Sequence, residues 1–367
     1  MAIEGEHVGR HAKALLSEME HAKARPLVRF FRRFVTIGAY AYPSALILLC
    51  IALVSIGETW WLTAALLYLP RALYALPLCF FAPALWFMQK RKLLWTQLTA
   101  VLVVVFPLMG FVLPWPAPTP RGPTLKLLSL NVDSGYFGAD KLLAAVDAVH
   151  PDLVLFQESP WGGALHDGLR ARFPHVDAST QFLLGSRFPI VERTEPEKIP
   201  MQDRPHTPRF MRYVVETSLG KLALYSVHPI SPRGTFGVYG FRGMFHRIRT
   251  GEILAGDPEA DLAKNAELRV KQVTAFQAMA SKEHLPLLLA GDTNLPGLSA
   301  TLRRHLSGYT DGFSSASWGF GYTYPARRPF LRIDRVMAGP ELGFSQFQIG
   351  CPGVSDHRCV IAQLFRR

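Results

Sequence analysis

Eight polar side chains share one place in the hydropathy pattern. Asn131, Glu158, His228, Asp292, Asn294, Asp334, Asp356 and His357 each stand at, or just past, the end of an apolar strand-like run. Together they offer four carboxylates, two imidazoles and two amides. Carboxylates and imidazoles accept and donate protons, and oxygen donors suit a hard divalent cation such as Mg²⁺ or Mn²⁺. Hydrolysis of a phosphoester needs an activated water, neutralised phosphate oxygens and help for the leaving oxygen. These residue types can supply all three. Each alone has an ordinary reading: a Gly-Asp after a strand is a turn, and a lone histidine is a satisfied structural residue. The functional reading comes from the whole set occurring in this order.

The elements that must position these residues follow from periodicity. Leu125–Asp133 reads as a buried strand that ends in polar residues, and 139–149 has helical spacing through Leu142, Leu143, Val146 and Val149. Pro151-Asp152 breaks that helix, and Leu153–Phe156 forms a second strand ending at Gln157-Glu158. A helix over 161–173 follows, then short strands at 181–184, 189–193, 211–217 and 221–227, the last ending on His228. Helical spacing returns over 264–281, and Pro286–Ala290 is a strand running into Gly291-Asp292-Thr293-Asn294. Strands near 332–337 and 344–349 precede Ser355-Asp356-His357, and 358–364 is the last. Strand ends lie on one rim of a sheet, where ligands tend to bind. The pattern therefore predicts one convergent site.

The series Leu130-Asn131-Val132, Pro151–Glu158, Val227-His228, Gly291-Asp292-Thr293-Asn294, Arg332-Ile333-Asp334-Arg335 and Ser355-Asp356-His357 resembles the endonuclease/exonuclease/phosphatase (DNase I-like) superfamily. It covers about 125 to 365, and Arg269 and Gln272 suit the helix that precedes Gly-Asp-x-Asn in that family. The resemblance implies an α/β four-layer sandwich of two packed β-sheets flanked by helices, and a metal-dependent phosphoester hydrolase. It implies that Asn131, Glu158 and Asp356 hold or support the metal, with Glu158 the leading ligand. It pairs His357 with Asp334, lets Asp292 and Asn294 orient the attacking water, and makes His228 a candidate general acid. Asp133 matches an acid of the apurinic-endonuclease branch or is an ordinary loop acid; His228 argues against that branch.

The first 122 residues are different in kind. They carry 12 Lys/Arg against 5 Asp/Glu, whereas 123–367 carry 28 against 23. A mildly basic second part is compatible with phosphate-bearing substrates and gives no argument for nucleic acid in particular. Val35–Gly57 holds 23 residues without a charge, enough for a spanning helix of roughly 20 residues. Leu93–Leu113 is 21 uncharged residues, and Trp60–Met88 is a third apolar stretch with Pro70, Arg71, Pro77 and Pro83 inside it. The expected layout is a basic tail 1–33, a transmembrane region 34–113 with spans 35–57, 60–88 and 93–113, a proline-rich linker 114–123, and a catalytic domain 124–367.

Basic residues in the tail and at Lys90-Arg91-Lys92 favour the cytoplasmic side for both. Three spans then place the catalytic domain outside, in a multi-pass plasma- or inner-membrane protein. Two spans, with 60–88 folding back, would leave it in the cytoplasm. Cys50 and Cys79 read as membrane packing residues. Cys351 and Cys359 read as two buried thiols, the alternative being a disulfide, which requires an oxidising compartment. The long stretch 229–249, rich in Arg and aromatics, reads as a lid over phosphate or as a solvent-exposed excursion.

Substrates used in the superfamily include nucleic acid, phospholipid or sphingolipid head groups, and inositol phosphates. The competing functions are a catalytically silent, membrane-tethered binding module, and a membrane protein in which Arg71 is the working charge.

Overall fold

A computed structural model describes residues 2–113, 116–232 and 258–367. They form two compact units: Met1–Leu49 with Arg71–Val105, and Cys50–Pro70 with Phe106–Arg367.

In the first unit the long helix α1 (Ala2–Ser55) packs through Val35 and Ala39 on Leu85. The ring of Phe81 lies where a side chain at Gly38 would project, so glycine is what lets the helices approach. Gln97 donates to the Ala39 carbonyl at 3.3 Å, a polar tie within an apolar contact. Among the described residues two helices are long and apolar enough to cross a membrane, Pro26–Ser55 and Arg91–Leu108. The expected middle span is not one straight helix. It breaks at Leu69-Pro70 into Leu62–Tyr68 and Arg71–Phe87, because proline removes a backbone donor and crowds the preceding turn. Arg71 is buried.

The second unit is a sandwich. One sheet has the order β11-β12-β1-β2-β4-β3, the other β5-β6-β7-β8-β10-β9. In chain order the first holds β1 (Thr124–Asn131), β2 (Leu153–Gln157), β3 (His175–Ser179), β4 (Phe182–Ser186), β11 (Leu342–Gly350) and β12 (Cys359–Arg366). The second holds β5 (Ile190–Thr194), β6 (Phe210–Thr217), β7 (Gly220–Val227), β8 (Leu287–Asp292), β9 (Thr310–Asp311) and β10 (Asp334–Ala338).

Alternation along each strand builds the layers. Leu125, Leu127, Leu153, Leu155, Leu288 and Ala290 point between the sheets. Their neighbours Leu128, Leu130, Val154 and Phe156 point outward onto α5 (Ala139–Val149) and α6 (Ala164–Arg170). On the far side Ala223, Tyr225, Leu287 and Leu289 meet Val273 and Phe276 of α7 (Pro258–Ala280), near Leu306 of α8 (Ala300–Leu306). Strands covered on both faces need apolar residues at every position, so their sequences read as unbroken apolar runs rather than as alternation. A further short helix, α9 (Gly312–Ala316), lies beside β11. The four-layer sandwich expected from the sequence is thus present.

Cys351 and Cys359 are joined in a disulfide, which corrects the reading as free thiols. Their spacing spans the loop between β11 and β12, whose antiparallel register brings Gly350 opposite Cys359 and so the two sulfurs together. From residue 233 onward the candidate lid, 229–249, lies outside the described residues.

Candidate active site

The site is where the inner face of the sandwich stops being apolar. Parity carries the inward series Leu125, Leu127, Ser129 to Asn131, the series Leu153, Leu155 to Gln157, and the series Leu288, Ala290 to Asp292. Going the other way, Ala338 and Val336 lead to Asp334. One rim of the interior therefore changes from Leu and Ala to Asn, Gln, His and Asp. Beneath the acids lies a buried polar layer: Gln157 donates to Ser129 Oγ at 3.2 Å and reaches Ser226 Oγ at 3.5 Å.

Register fixes who meets whom. Val227 pairs with Gly291 in the parallel β7–β8 ladder, so His228 arrives beside Asp292. A side chain at Gly291 would meet the Val227 carbonyl oxygen at 2.0 Å, so this position admits only glycine. Asp292 pairs directly with Asp334 across β8–β10. Two carboxylates in opposite positions repel, and the imidazolium of His357 between them offsets that charge.

Asp292 is the hub. Its Oδ2 accepts from Asn131 Nδ2 at 3.2 Å and lies 3.6 Å from His228 Nε2 and 3.7 Å from His357 Nε2. Its Oδ1 accepts from the Asn294 backbone N–H at 2.9 Å. Burial pushes its carboxyl pKa up, and the charges of His357 and His228 act against this. His357 Nδ1 donates to Asp334 Oδ2 at 2.9 Å, and the Tyr324 ring packs on its face at 4.7 Å. Burial disfavours the charged ring of His357, but Asp334 and Asp292 outweigh it and push its pKa up to about 10.

His228 has the opposite balance. Its Nδ1 donates to Gln181 Oε1 at 2.6 Å, and burial pushes its pKa down to about 4. At pH 7 it is neutral, and His357 is an imidazolium. His228 Nε2 faces Glu158 Oε1 at 3.3 Å and finds no hydrogen bond among the described residues.

The oxygen donors toward solvent are Glu158 and Asp356, whose side chains are 29% and 27% exposed. Asn131 links them. Its Nδ2 donates to Glu158 Oε1 at 3.0 Å, and its carbonyl accepts from Ser355 Oγ, 3.4 Å from Asp356 Oδ1. Asn131 Oδ1 accepts from the Asp133 N–H and keeps one lone pair. An all-oxygen set open to water fits Mg²⁺ or Mn²⁺, which retain several waters. The buried polar Nε2 of His228 beside this set is what an inward-facing ligand or ordered water would satisfy. Asp292, Asp334 and His357 also bring ligand atoms within 4.8 Å of one another. There, however, the Asp334 carboxylate is already taken up by the His357 N–H.

The sequence places the eight residues at one rim, and the structure brings seven of them into this network. Asn294 differs in detail. Its Nδ2 donates to the Pro229 carbonyl at 3.0 Å, so its amide holds the chain after His228 as well as adjoining the acids. Arg327 and Arg328 are exposed. Residues that the strand-end pattern missed also matter. Gln181 fixes the His228 tautomer. The Arg209 carbonyl accepts from the His228 N–H at 2.9 Å, and its charge acts on Glu158 and His228. A cleft of about 270 Å³ lies beside them, lined by Trp161, Gln181, Thr207 and Arg209. Gln181 and Arg209 directly precede β4 and β6, where an apolar run begins rather than ends, so the strand-end pattern does not mark them.

Arg335, buried, and Arg332 both pair with Asp311, at 2.8 and 3.1 Å, on either side of Asp334. Burial raises the Asp311 carboxyl, but the two guanidinium charges outweigh it and hold its pKa below the ordinary value. This fixes the strand that presents Asp334.

No curated protein matches the chain. Among solved structures, an endonuclease/exonuclease/phosphatase from Beutenbergia cavernae is 15% identical over 67% of this chain and 72% of its own, with TM-score 0.46. A humanized D. rerio TDP2 is 18% identical over 66% and 98%, with TM-score 0.45. A mannosyl-6-phosphatase from Bacteroides thetaiotaomicron is 14% identical over 65% and 99%, with TM-score 0.45. The model of the Endonuclease/Exonuclease/phosphatase family matches residues 128–357, a range that begins in β1 and closes on His357, and the chain belongs to that family.

Proposed function

We propose that the protein is a membrane-anchored phosphoester hydrolase that depends on Mg²⁺ or Mn²⁺. The observation that carries this is the convergence of Asn131, His228, His357 and the Asn294 backbone on the buried Asp292 carboxylate, with Glu158 and Asp356 open to solvent alongside.

Glu158, Asn131 and Asp356 hold the cation. Bound there, it would neutralise phosphate oxygens and lower the pKa of an attached water. Asp292, whose carboxyl burial makes more basic, takes the proton of the attacking water. His357, protonated on both nitrogens and oriented by Asp334, stabilises the phosphoryl oxygens and supplies the proton to the leaving oxygen. His228 is neutral before reaction and, with its proton on Nδ1 held by Gln181, offers Nε2 as an acceptor beside Asp292 and Glu158, which differs from the general-acid role implied by the resemblance. Trp161 and Arg209 in the adjoining cleft suit a substrate that carries both phosphate and an apolar or planar group. Nucleic acid and phospholipid or sphingolipid head groups are both within that description.

The test is turnover by the full chain in detergent with Mg²⁺, Mn²⁺ or chelator. The panel is DNA, RNA, bis-(p-nitrophenyl) phosphate, phosphatidylinositol phosphates and sphingomyelin. Turnover of at least one member that disappears with chelator is expected. Equal turnover in chelator removes the metal, and silence across the panel from folded protein removes the hydrolase.

The same reading places a basic tail (1–33) and the 89–92 connection in the cytoplasm. It takes three spans within 34–113 and puts the catalytic domain (124–367), beyond the 114–123 linker, outside. The basic residues support this by the positive-inside tendency. The Cys351–Cys359 disulfide supports it as well, since such bonds persist in oxidising compartments. A C-terminal reporter should be active only in its periplasmic form; cytoplasmic activity alone would reverse the orientation.

A further inference from the structure

The compact unit that holds the site includes a stretch from far away in sequence, Cys50–Pro70, which leaves the first apolar helix. Four contacts seat it, and a fifth closes its own turn. Arg304 donates to the Ser55 carbonyl at 2.7 Å. Gly57 has φ +54 and lies so close to the start of α8 that an added Cβ would meet the Ala300 nitrogen at 2.9 Å. Glu58, buried, accepts from the hydroxyl of Ser299, the N-cap residue of α8, and from Thr301 Oγ1 at 3.4 Å. Thr63 Oγ1 donates to the Gly57 carbonyl at 2.6 Å and closes the turn into α2 (Trp61–Tyr68).

At the end of α2 the Tyr68 hydroxyl donates to the Asn294 carbonyl at 2.8 Å, across 226 residues of sequence. It accepts from Arg269 Nη1 at 3.2 Å, and the guanidinium lies 5.9 Å from the centre of its ring. Arg269 Nε in turn donates to the Ile230 carbonyl at 2.8 Å, and Gln272 Oε1 accepts from the Ile230 N–H at 2.7 Å. Asn294 has a left-handed backbone at φ +50, a conformation that asparagine tolerates better than most side chains. Its N–H is bound to Asp292, its amide to Pro229 and its carbonyl to Tyr68. One hydroxyl therefore touches both chains that flank the reacting groups: the one after Asp292 directly, and the one after His228 through Arg269.

We propose that Tyr68 is a positioning residue of the hydrolytic site, so that the stretch leaving the first apolar helix is a working part of the catalytic unit. This rests on the hydrolase reading above. Tyr68 touches no reacting atom; it acts through Asn294 and Arg269. A small displacement of a water-positioning group costs rate far more than it costs binding.

The experiment uses the full chain in detergent micelles with Mn²⁺ and bis-(p-nitrophenyl) phosphate. Tyr68→Phe removes the hydroxyl and keeps the ring. We expect kcat to fall about tenfold with KM unchanged. Backbone amide exchange at 292–295 should speed up in Tyr68→Phe while the melting temperature stays constant. An unchanged kcat with unchanged amide exchange overturns the proposal, as does a loss of kcat with amide exchange at 292–295 unchanged. If the wild-type chain hydrolyses nothing, the hydrolase reading fails first. Amide exchange at 292–295 then decides alone whether Tyr68 holds this segment, and unaltered exchange overturns it.

Discussion

Asp292→Asn should lower kcat by roughly three orders of magnitude while the protein stays folded. The substitution keeps the shape of the side chain and removes its charge and its basicity. In the native site the carboxylate accepts from Asn131 and from the Asn294 N–H, and it faces both imidazoles. Asparagine has one acceptor oxygen, so it keeps either the bond from the Asn294 N–H or the bond from Asn131 Nδ2 and gives up the other. It cannot accept the proton of water or balance the imidazolium of His357. Stability need not suffer, because Asp292 is buried directly opposite Asp334 and the pair repels. The expected signature is therefore a large loss in kcat from a protein that stays folded. Turnover within a few-fold of wild type would show that the proton acceptor is elsewhere and sink the assignment.

The strands were legible because a strand buried on both faces has to be apolar throughout. Leu125–Leu130, Leu153–Phe156 and Leu287–Ala290 carry that signature, and the helix over Ala139–Val149 has clean 3.6-residue spacing. The rim residues were legible because each apolar run stops at a polar one. Less visible was the polar layer of Ser129, Gln157 and Ser226, since inward serines within an apolar run look like tolerated substitutions until the facing strand is known. Strand β3 (His175–Ser179) was also missed; it is a sheet edge with only partial burial, so its residues are not selected for apolarity. Gln181, Arg209 and Tyr68 act through contacts between distant segments, and no local pattern encodes such a contact. The Pro70 break shows the converse case. The prolines were plain in the sequence, and hydropathy, which averages over a bend, gave one span over 60–88 with folding back as the alternative; the bend at Leu69-Pro70 does not choose between them.

The second large effect belongs to Asp334→Asn. His357 is charged because two carboxylates outweigh the cost of burying it, and Asp334 is the larger contributor. Removing that charge leaves burial, which favours the neutral ring. The His357 pKa should drop from about 10 to well below, and its Cε1 proton should report the drop in an NMR titration of chelator-treated protein. Without a proton on both nitrogens His357 can neither stabilise phosphoryl oxygens nor serve the leaving oxygen, so kcat should fall by about 10²–10⁴-fold. The stability profile gives an independent check. A histidine whose folded pKa is raised favours the folded state fully below its unfolded value of about 6.5 and loses that contribution as pH rises toward 10. His228, held down near 4 by burial, contributes in the opposite sense: fully above about 6.5, with loss as pH falls toward 4. Asp334→Asn should thus flatten the alkaline decline of melting temperature and leave the acid side, set by His228 and the other carboxylates, largely as it was. A variant whose His357 still titrates near 10 would mean that Asp292 alone holds the charge, and the dyad would then orient the ring without setting its proton.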